Sequence, residues 1–331
     1  MAAVRDIVDF WNLTNKEALV QFWLNLDNAD TIFTTVAVLA TMTFPIATIG
    51  NLLIVLLVWM DPLRKLRSSP SNFIIFSMAV ADLLVGLVAC PLTAFWAWAL
   101  LYKYTNTSFG FLRFFTTLIN LSVGHILLLS IDRFFAVVTP LQYRAKVTSK
   151  RVCIVSVACW IYFLLFGFVF FLLEKHHALM GTIYSVQIFC ILICIVIINV
   201  LTLCRFHKYS LSTETLDEQH AGFARQMILQ RERTVSKAIV IVISAFLLCF
   251  IPWFVVLMIL YICLTCNFSL LMLVYSIAAA VVYANSAINP LLYAWRLPKY
   301  RETFKHIFKK RKCCGRYETR QAVNCAQDTR L

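Results

Sequence analysis

The stretch Ala284–Tyr293, with the sequence ANSAINPLLY, places two asparagines, a serine and a proline inside a long apolar run. No Asp, Glu, Lys or Arg occurs between Phe268 and Trp295, so this run is long enough to span a bilayer as one helix. Hydrocarbon offers no hydrogen-bond partners to its polar groups. We therefore expect those groups to face other helices or an internal cavity.

Similar apolar runs recur along the chain. Of its 331 residues, 61% are hydrophobic and 14% are charged, and the mean hydropathy is +0.80. These values are typical of a polytopic membrane protein. The sequence predicts an all-α membrane protein in which seven transmembrane helices form a bundle. The predicted spans are residues 31–60, 73–101, 114–131, 152–173, 183–204, 238–266 and 268–295.

The spans divide the chain into four parts: residues 1–30, the bundle at 31–295, a juxtamembrane segment at 296–312 and a tail at 313–331. The first part lacks the apolar core of a cleaved signal peptide, so the first span is expected to act as its own insertion signal. Apolar residues recur at helical spacing between basic ones in the juxtamembrane segment. This pattern predicts an amphipathic eighth helix lying on the inner leaflet.

The positions of Lys and Arg predict the orientation of the chain. Of the 30 basic residues, 25 lie in the connections and tail on one side of the membrane. By the positive-inside rule, the N-terminus is extracellular and the C-terminus is cytoplasmic, as in a multi-pass plasma-membrane protein. The formal charge of +14 mostly reflects this bias, so we expect membrane lipids and not nucleic acid as partners.

Six motifs follow one another along the spans. They are Gly50-Asn51, Ala79-Val80-Ala81-Asp82-Leu83-Leu84, Ser130-Ile131-Asp132-Arg133-Phe134, Trp160, Cys249-Phe250-Ile251-Pro252 and Asn289-Pro290-Leu291-Leu292-Tyr293. Each is weak alone, but in this order they resemble the rhodopsin-like class of G protein-coupled receptors. The resemblance covers about residues 30 to 310. It implies a receptor that transmits an extracellular ligand signal to a heterotrimeric G protein.

Asp82 is the one formal charge within the predicted spans. An unpaired charge near mid-membrane costs at least about 2.5–3.5 kcal/mol, so we expect this carboxyl to be neutral or partnered. The resemblance implies an allosteric sodium ion and no other cofactor, and oxygen ligands suit such a hard cation. A protonated, purely structural acid is the alternative. The implied sodium ligands are Asp82, Ser122, Asn285, Ser286 and Asn289.

The resemblance also implies an activation switch where the third span meets the cytoplasm. Arg133 would be held by Asp132 and by Glu232, which lies 20 residues before Pro252. The alternative is an ordinary interfacial ion pair, which contributes about 0–1 kcal/mol. The remaining switch residues are the aromatics and the helix-bending prolines Phe246, Phe250, Pro252, Pro290 and Tyr293. The implied G protein contacts are Arg133, Pro140 and Leu141.

Departures from the family pattern narrow the choice of branch within this class of receptors. Ser108 stands where the third helix usually has its outer cysteine, and residues 174–182 contain no cysteine. The fifth span lacks the usual proline and tyrosine. This pattern resembles the melanocortin, lysophospholipid, cannabinoid and adenosine receptors. Since adenosine receptors keep the missing disulfide, the pattern is most similar to that of melanocortin receptors. Phe250 replaces the usual sixth-helix tryptophan, which leaves open an orphan or constitutively active receptor.

The sequence constrains the chemical class of the ligand less than it constrains the class of protein. Amine receptors carry an Asp at the position of Phe115, and opsins need a Lys that is missing between Lys237 and Lys299. We therefore expect neither a biogenic amine nor retinal. The candidate pocket residues are Phe115, Thr116, Ile119, Phe250, Trp253, Phe254, Leu257, Ala279 and Tyr283. Such a mostly apolar wall favours a neutral, lipid-like or small peptide ligand, and an ordinary apolar core explains it equally well.

Several residues outside the helical core are candidates for modification. Cys263 and Cys266 lie at the predicted outer end of the sixth span, where a disulfide is plausible. Cys313 and Cys314 follow a basic run and are palmitoylation candidates. Asn12 and Asn106 lie in N-x-Ser/Thr sequons and are glycosylation candidates. His125, within the third span, is interpreted as a packing or lipid-facing residue.

Two other functional classes are disfavoured. A transporter would show repeated halves with broken helices in matching positions, and the motifs at Asp132 and Asn289 have no counterparts in the other half. An enzyme would need convergent catalytic groups in the bundle. No Ser-His-Asp or metal-ligand pattern accompanies Asp82, so we do not expect an enzyme.

Overall fold

The computed structural model describes most of the chain between residues 16 and 306. The described residues are 16–62, 64, 66, 67, 69–104, 110–173, 177–215, 223–263, 266–296 and 300–306. Within these ranges the side chains of residues 16–19, 110–115, 177, 178, 207–233, 235, 261 and 296 are not described.

Seven helices of the described chain are long and apolar enough to cross a membrane, which confirms the predicted seven-helix class. The spans are Ala29–Met60, Pro70–Leu101, Thr116–Val138, Ser149–Leu172, Leu179–Phe206, Ser236–Leu260 and Phe268–Trp295. Four of them belong to longer helices, namely Gly110–Val138, His177–Thr215, Phe223–Ile262 and Phe268–Arg296. The two short helices outside the spans are Lys16–Leu24 and Pro140–Lys146. Residues 300–306, in the predicted eighth helix, are also helical.

The second span contains a change of helical geometry. Its α-helices Pro70–Leu84 and Cys90–Leu101 are joined by the π-helical turn Val85–Ala89. Pro91, which follows this turn, has no N–H to donate to the preceding turn, and a π-bulge is one way to accommodate such a gap. The extra residue rotates the outer half of the helix by about 100° relative to a continuous α-helix.

The helix Lys16–Leu24 packs on the end of the bundle near the first, second and seventh spans. Val20 is only 1% exposed, the rings of Phe22 and Phe268 lie 5.5 Å apart, and those of Trp23 and Trp96 lie 6.5 Å apart. A helix of nine residues is too short to be stable by itself in water, so these contacts hold it in place. The sequence predicted an extracellular segment here but not this helix.

The first and seventh spans approach each other closely at Gly50 and Pro290. A Cβ atom built on Gly50 would lie 2.9 Å from Cγ of Pro290, which is closer than normal carbon contacts. Glycine at position 50 therefore allows the first span to pack against the proline of the seventh span. That contact lies in the same part of the bundle as the polar cluster described below.

We predict that Gly50→Val lowers the thermal unfolding midpoint of the purified protein, because overpacking of this kind typically costs about 1–3 kcal/mol. Ile49→Val is the matched control, since the Ile49 side chain is 59% exposed on the outside of the same helix. Equal midpoints for the Gly50 and Ile49 variants would contradict the proposed role of this contact.

Candidate functional site

The carboxylate of Asp82 is fully buried and hydrogen-bonded to two other helices. The hydroxyl of Ser122 donates to Oδ1 at 2.9 Å, and the hydroxyl of Ser286 donates to the same oxygen at 2.8 Å. Nδ2 of Asn289 donates to Oδ2 at 2.8 Å. Three such bonds to a buried anion are short and charge-assisted, and they join the second, third and seventh spans.

Two further asparagines surround this cluster. Nδ2 of Asn51 donates to the carbonyl of Ser286 at 2.8 Å, so the first span is joined to the seventh as well. Asn285 is buried but is not among the donors to Asp82. Oδ1 of Asn289 is buried and has no hydrogen-bond partner. A carboxylate, hydroxyls and a free amide oxygen are the ligands that a hard cation takes, so the residues fit a sodium ion.

Arg133 lies at the other end of the third span in a second polar cluster. Its Nε donates to Oδ2 of Asp132 at 2.9 Å, and its Nη2 donates to the hydroxyl of Tyr143 at 3.1 Å and to that of Ser71. The Tyr143 hydroxyl in turn donates to Oδ1 of Asp132 at 2.7 Å. Arg133 is only 2% exposed, so the pair is a buried and well-partnered one rather than a surface ion pair.

The sequence did not predict the roles of Tyr143 and Ser71. Tyr143 belongs to the helix Pro140–Lys146, and burial raises the pKa of its phenol well above the ordinary value. The phenol is therefore protonated at neutral pH and able to donate. The signal in the sequence was Pro140, which starts a short helix because its missing N–H is tolerated in the first turn. Leu141 of the same helix is 52% exposed, while the side chain of Glu232 lies outside the described residues.

Aromatic rings contact one another along the sixth span. Phe250 stacks on Phe246 with ring centroids 4.1 Å apart and meets the edge of Trp253 at 6.4 Å. Pro252 lies inside this helix, as Pro290 lies inside the seventh. The sixth helix ends at Ile262, four residues before the predicted end at Cys266.

Tyr293 is buried between the second span and the helical residues 300–306. Its hydroxyl donates to Sδ of Met78 at 3.8 Å, and its ring stacks on that of Tyr300 at 6.3 Å. Tyr293, the last of the predicted switch residues, therefore contacts both the second span and the helical residues 300–306.

A cavity of about 340 Å³ opens between the spans on the side of the bundle that carries the helix Lys16–Leu24. Six of the nine candidate pocket residues line it: Thr116, Ile119, Trp253, Leu257, Ala279 and Tyr283. Phe250 is buried against Phe246 instead, and Phe254 stacks on Phe189. The side chain of the remaining candidate, Phe115, lies outside the described residues.

The cavity extends further toward the first, second and seventh spans than the sequence indicated. The lining residues that sequence reasoning missed include Trp23, Ile32, Val36, Thr93, Trp96, Met272 and Tyr275. The π-helical turn of the second span precedes two of them, Thr93 and Trp96, and sets the direction in which they point. Pro91 was the available signal, because a proline inside a span predicts a local departure from α-helical geometry.

His125 is fully buried, so of the two interpretations, packing and lipid-facing, the structure agrees with packing. Its Nδ1 contacts the carbonyl of Leu121 at 2.8 Å and must donate to it, which leaves Nε2 to accept from the Ser77 hydroxyl at 2.8 Å. Nε1 of Trp160 donates to the same Ser77 oxygen. This chain of hydrogen bonds joins the second, third and fourth spans.

The structure contains a disulfide between Cys263 and Cys266, the two residues paired as candidates from the sequence. It closes a short loop between the sixth and seventh spans. The modification candidates Asn12, Asn106, Cys313 and Cys314 all lie outside the described residues.

These features define a seven-helix receptor with polar clusters at mid-membrane and at one end. The profile of the 7 transmembrane receptor (rhodopsin family) matches residues 50–293, and the chain belongs to this family. It is a G protein-coupled receptor and a multi-pass plasma-membrane protein.

Relatives in this family have different ligands in their names. The adenosine receptor A2a of Canis lupus familiaris is 25% identical over 80% of this chain and 69% of its own. The trace amine-associated receptor 7e of Mus musculus is 28% identical over 78% of each chain. The histamine H2 receptor of Canis lupus familiaris is 25% identical over 90% of this chain and 83% of its own. The resemblance to melanocortin receptors stays a prediction.

The sodium hypothesis predicts that Na⁺ favours the inactive receptor and that Asp82→Asn removes this effect, because the neutral amide lacks the charge that attracts the cation. The measurement is G protein nucleotide exchange in membranes with NaCl against an equal ionic strength of choline chloride. Identical responses to sodium in wild type and variant would leave Asp82 with a structural role only.

We further predict that Tyr143→Phe raises ligand-free G protein activation. The change removes hydrogen bonds to both members of the Asp132–Arg133 pair, and bonds to charged groups contribute about 1.5–3 kcal/mol. Tyr162→Phe, on an exposed part of the fourth span, is the control.

Arg133→Ala is expected to abolish signalling at normal surface expression. Full signalling by that variant would defeat the proposed switch.

Proposed function

We propose that the cavity binds a neutral, mostly apolar extracellular ligand, which shifts the bundle toward the state that activates the G protein. The observation that carries the proposal is the chemistry of the wall. Among the described side chains that line the cavity, none is Asp, Glu, Lys, Arg or His. A ligand with a full charge would lose its hydration there and find no counter-ion.

The amines named in two of the relatives do not transfer to this chain. The amine-binding pattern of the family needs an acid at position 115, where this sequence has phenylalanine. The backbone at position 115 lies one residue before Thr116, which lines the cavity. A biogenic amine would therefore bring its ammonium group into an uncharged pocket, which disfavours this ligand class.

The aromatic contacts support a route from the cavity to the switch. Trp253 lines the cavity and touches Phe250, which stacks on Phe246 deeper in the sixth span. Pro252 has no N–H to donate to the carbonyl of Leu248, so the helix has a point at which to bend between Phe250 and Trp253. A ligand that displaces the Trp253 ring would change the packing of this stack and so the position of the inner half of the helix.

The same proposal includes the orientation of the chain in the membrane, its G protein contact on the cytoplasmic side and its allosteric ion. The basic residues place the C-terminus in the cytoplasm, which puts Arg133 and Leu141 on the side where a G protein binds. Leu141 is the exposed apolar contact for that protein. The sodium ion at Asp82 is the allosteric ligand, and the tail cysteines and N-terminal sequon are the modification sites of this arrangement.

A panel of G proteins, read in cells first without ligand and then with a library of neutral and charged small molecules, tests this function. We expect activation of at least one G protein subtype by neutral apolar compounds. Ala279→Phe, which narrows the cavity, should weaken the response, whereas Ile277→Phe on the exposed face of the same helix should not.

Each receptor carries an N-terminal epitope tag, and staining of intact cells gives both the orientation and the surface density. High ligand-free activity that no compound alters would favour the constitutively active alternative. Activation by cationic amines alone would contradict the neutral-ligand proposal.

A further inference from the structure

We propose that the helix Lys16–Leu24 is part of the ligand site, with Trp23 as its roof, and that the enclosed ligand is a neutral amphiphile with one hydrogen-bonding group. This inference rests on the proposed function and names the ligand class and an additional binding residue. It places the binding determinants of the receptor partly outside the seven spans.

Trp23 forms part of the cavity wall. Its ring meets Trp96 edge-on at 6.5 Å and lies 6.4 Å from Phe33, and Phe33 and Trp96 are themselves 5.8 Å apart. These three rings bring together the N-terminal helix and the first and second spans. Such aromatic pairs stabilise the contact beyond the effect of their buried area.

Nine residues do not form a stable helix in water, so the contacts of its described side chains with the spans help to hold this helix on the bundle. Val20 and Phe22 provide the anchor, through burial and through contact with Phe268. The stability of the docked helix is therefore modest and local. A ligand that touches Trp23 gains apolar contact only when the helix is docked, so ligand binding and docking favour each other.

The cavity wall also contains hydroxyl groups, and that of Thr93 is one of them. The hydroxyl of Thr93 is 97% buried by residue exposure and lies close to the Tyr283 phenol, but it makes no hydrogen bond of good geometry. A buried hydroxyl with only a poorly aligned neighbour gains free energy when a ligand group bonds to it directly. A hydroxyl or carbonyl on an otherwise apolar molecule fits this wall, because no charge is present to pair with an ion.

The docking of the helix is tested first, without any ligand, in the full-length receptor in lipid nanodiscs. Val20→Cys and Gln21→Cys are labelled with a charged maleimide, and the labelling of the wild-type thiols is subtracted. Val20 is buried and Gln21 is exposed on the same helix, so we expect Val20→Cys to react about tenfold more slowly or less. Equal rates would show an undocked helix and overturn the proposal.

The roof is tested by labelling inside the cavity. Ser276→Cys introduces a thiol of similar size into the lining, and we expect Trp23→Ala to raise its labelling rate about tenfold by opening the site to water. Gln21→Ala is the matched control. An unchanged rate in Trp23→Ala would show that this side chain does not close the cavity.

The ligand class is tested with dodecanol, dodecylammonium and laurate, which share a chain and differ in head-group charge. Dodecanol is expected to slow the labelling of Ser276→Cys, and Trp23→Ala or Thr93→Val to reduce this protection. Equal protection by a charged member, or protection that survives Trp23→Ala unchanged, would overturn the proposal. Labelling needs no G protein, so failure here is distinguishable from failure of the activation panel.

Discussion

The burial of one carboxylate, that of Asp82, constrains the whole interior of this bundle. A charge placed there requires partners, and the partners come from the third and seventh spans through Ser122, Ser286 and Asn289. Asn51 adds the first span by donating to the carbonyl of Ser286. Four helices are thus held in register by groups that have no alternative partners in lipid. Any movement of the seventh span relative to the second must rearrange these bonds, so the sodium ion proposed at this point would bias the receptor between two states.

The polar cluster around Arg133, at the end of the third span, is likewise held by buried hydrogen bonds to charged groups. Arg133 is buried and held by Asp132, Tyr143 and Ser71, so its release requires several charge-assisted bonds to break together. Tyr143 lies on the short helix that also exposes Leu141. A protein that binds Leu141 therefore acts directly on the helix that holds Arg133. The two clusters are joined through the third span, which carries Ser122 and Arg133 on one continuous helix.

The sequence predicted the seven spans because each requires an uninterrupted apolar run. The family resemblance named Ser122, Ser286 and Asn289 beside Asp82, and it also named Asn285, which is not among the donors to that carboxylate. The sequence could not predict Tyr143, whose part in the cluster depends on the path of a loop. It also missed the helix Lys16–Leu24, since a nine-residue segment acquires its structure only from the surface it packs on. Thr93 and Trp96 were missed for a third reason. Their direction depends on a π-helical turn, and hydropathy does not report such a local change.

The cavity and the polar core meet at the seventh span. Tyr283 lines the cavity, while Ser286 and Asn289, three and six residues further on the same helix, bond to Asp82. At about 100° per residue, Ser286 lies about 60° and Asn289 about 120° around the helix axis from Tyr283, and all three belong to one continuous helix. A ligand that shifts Tyr283 consequently moves two of the three donors to the buried carboxylate. The sixth span provides the other route, through Trp253 and Phe250, and it has a proline at which to bend. Coupling through the seventh span acts on charge and coupling through the sixth acts on ring packing, and the two helices also touch through the rings of Trp253 and Tyr275, 6.2 Å apart.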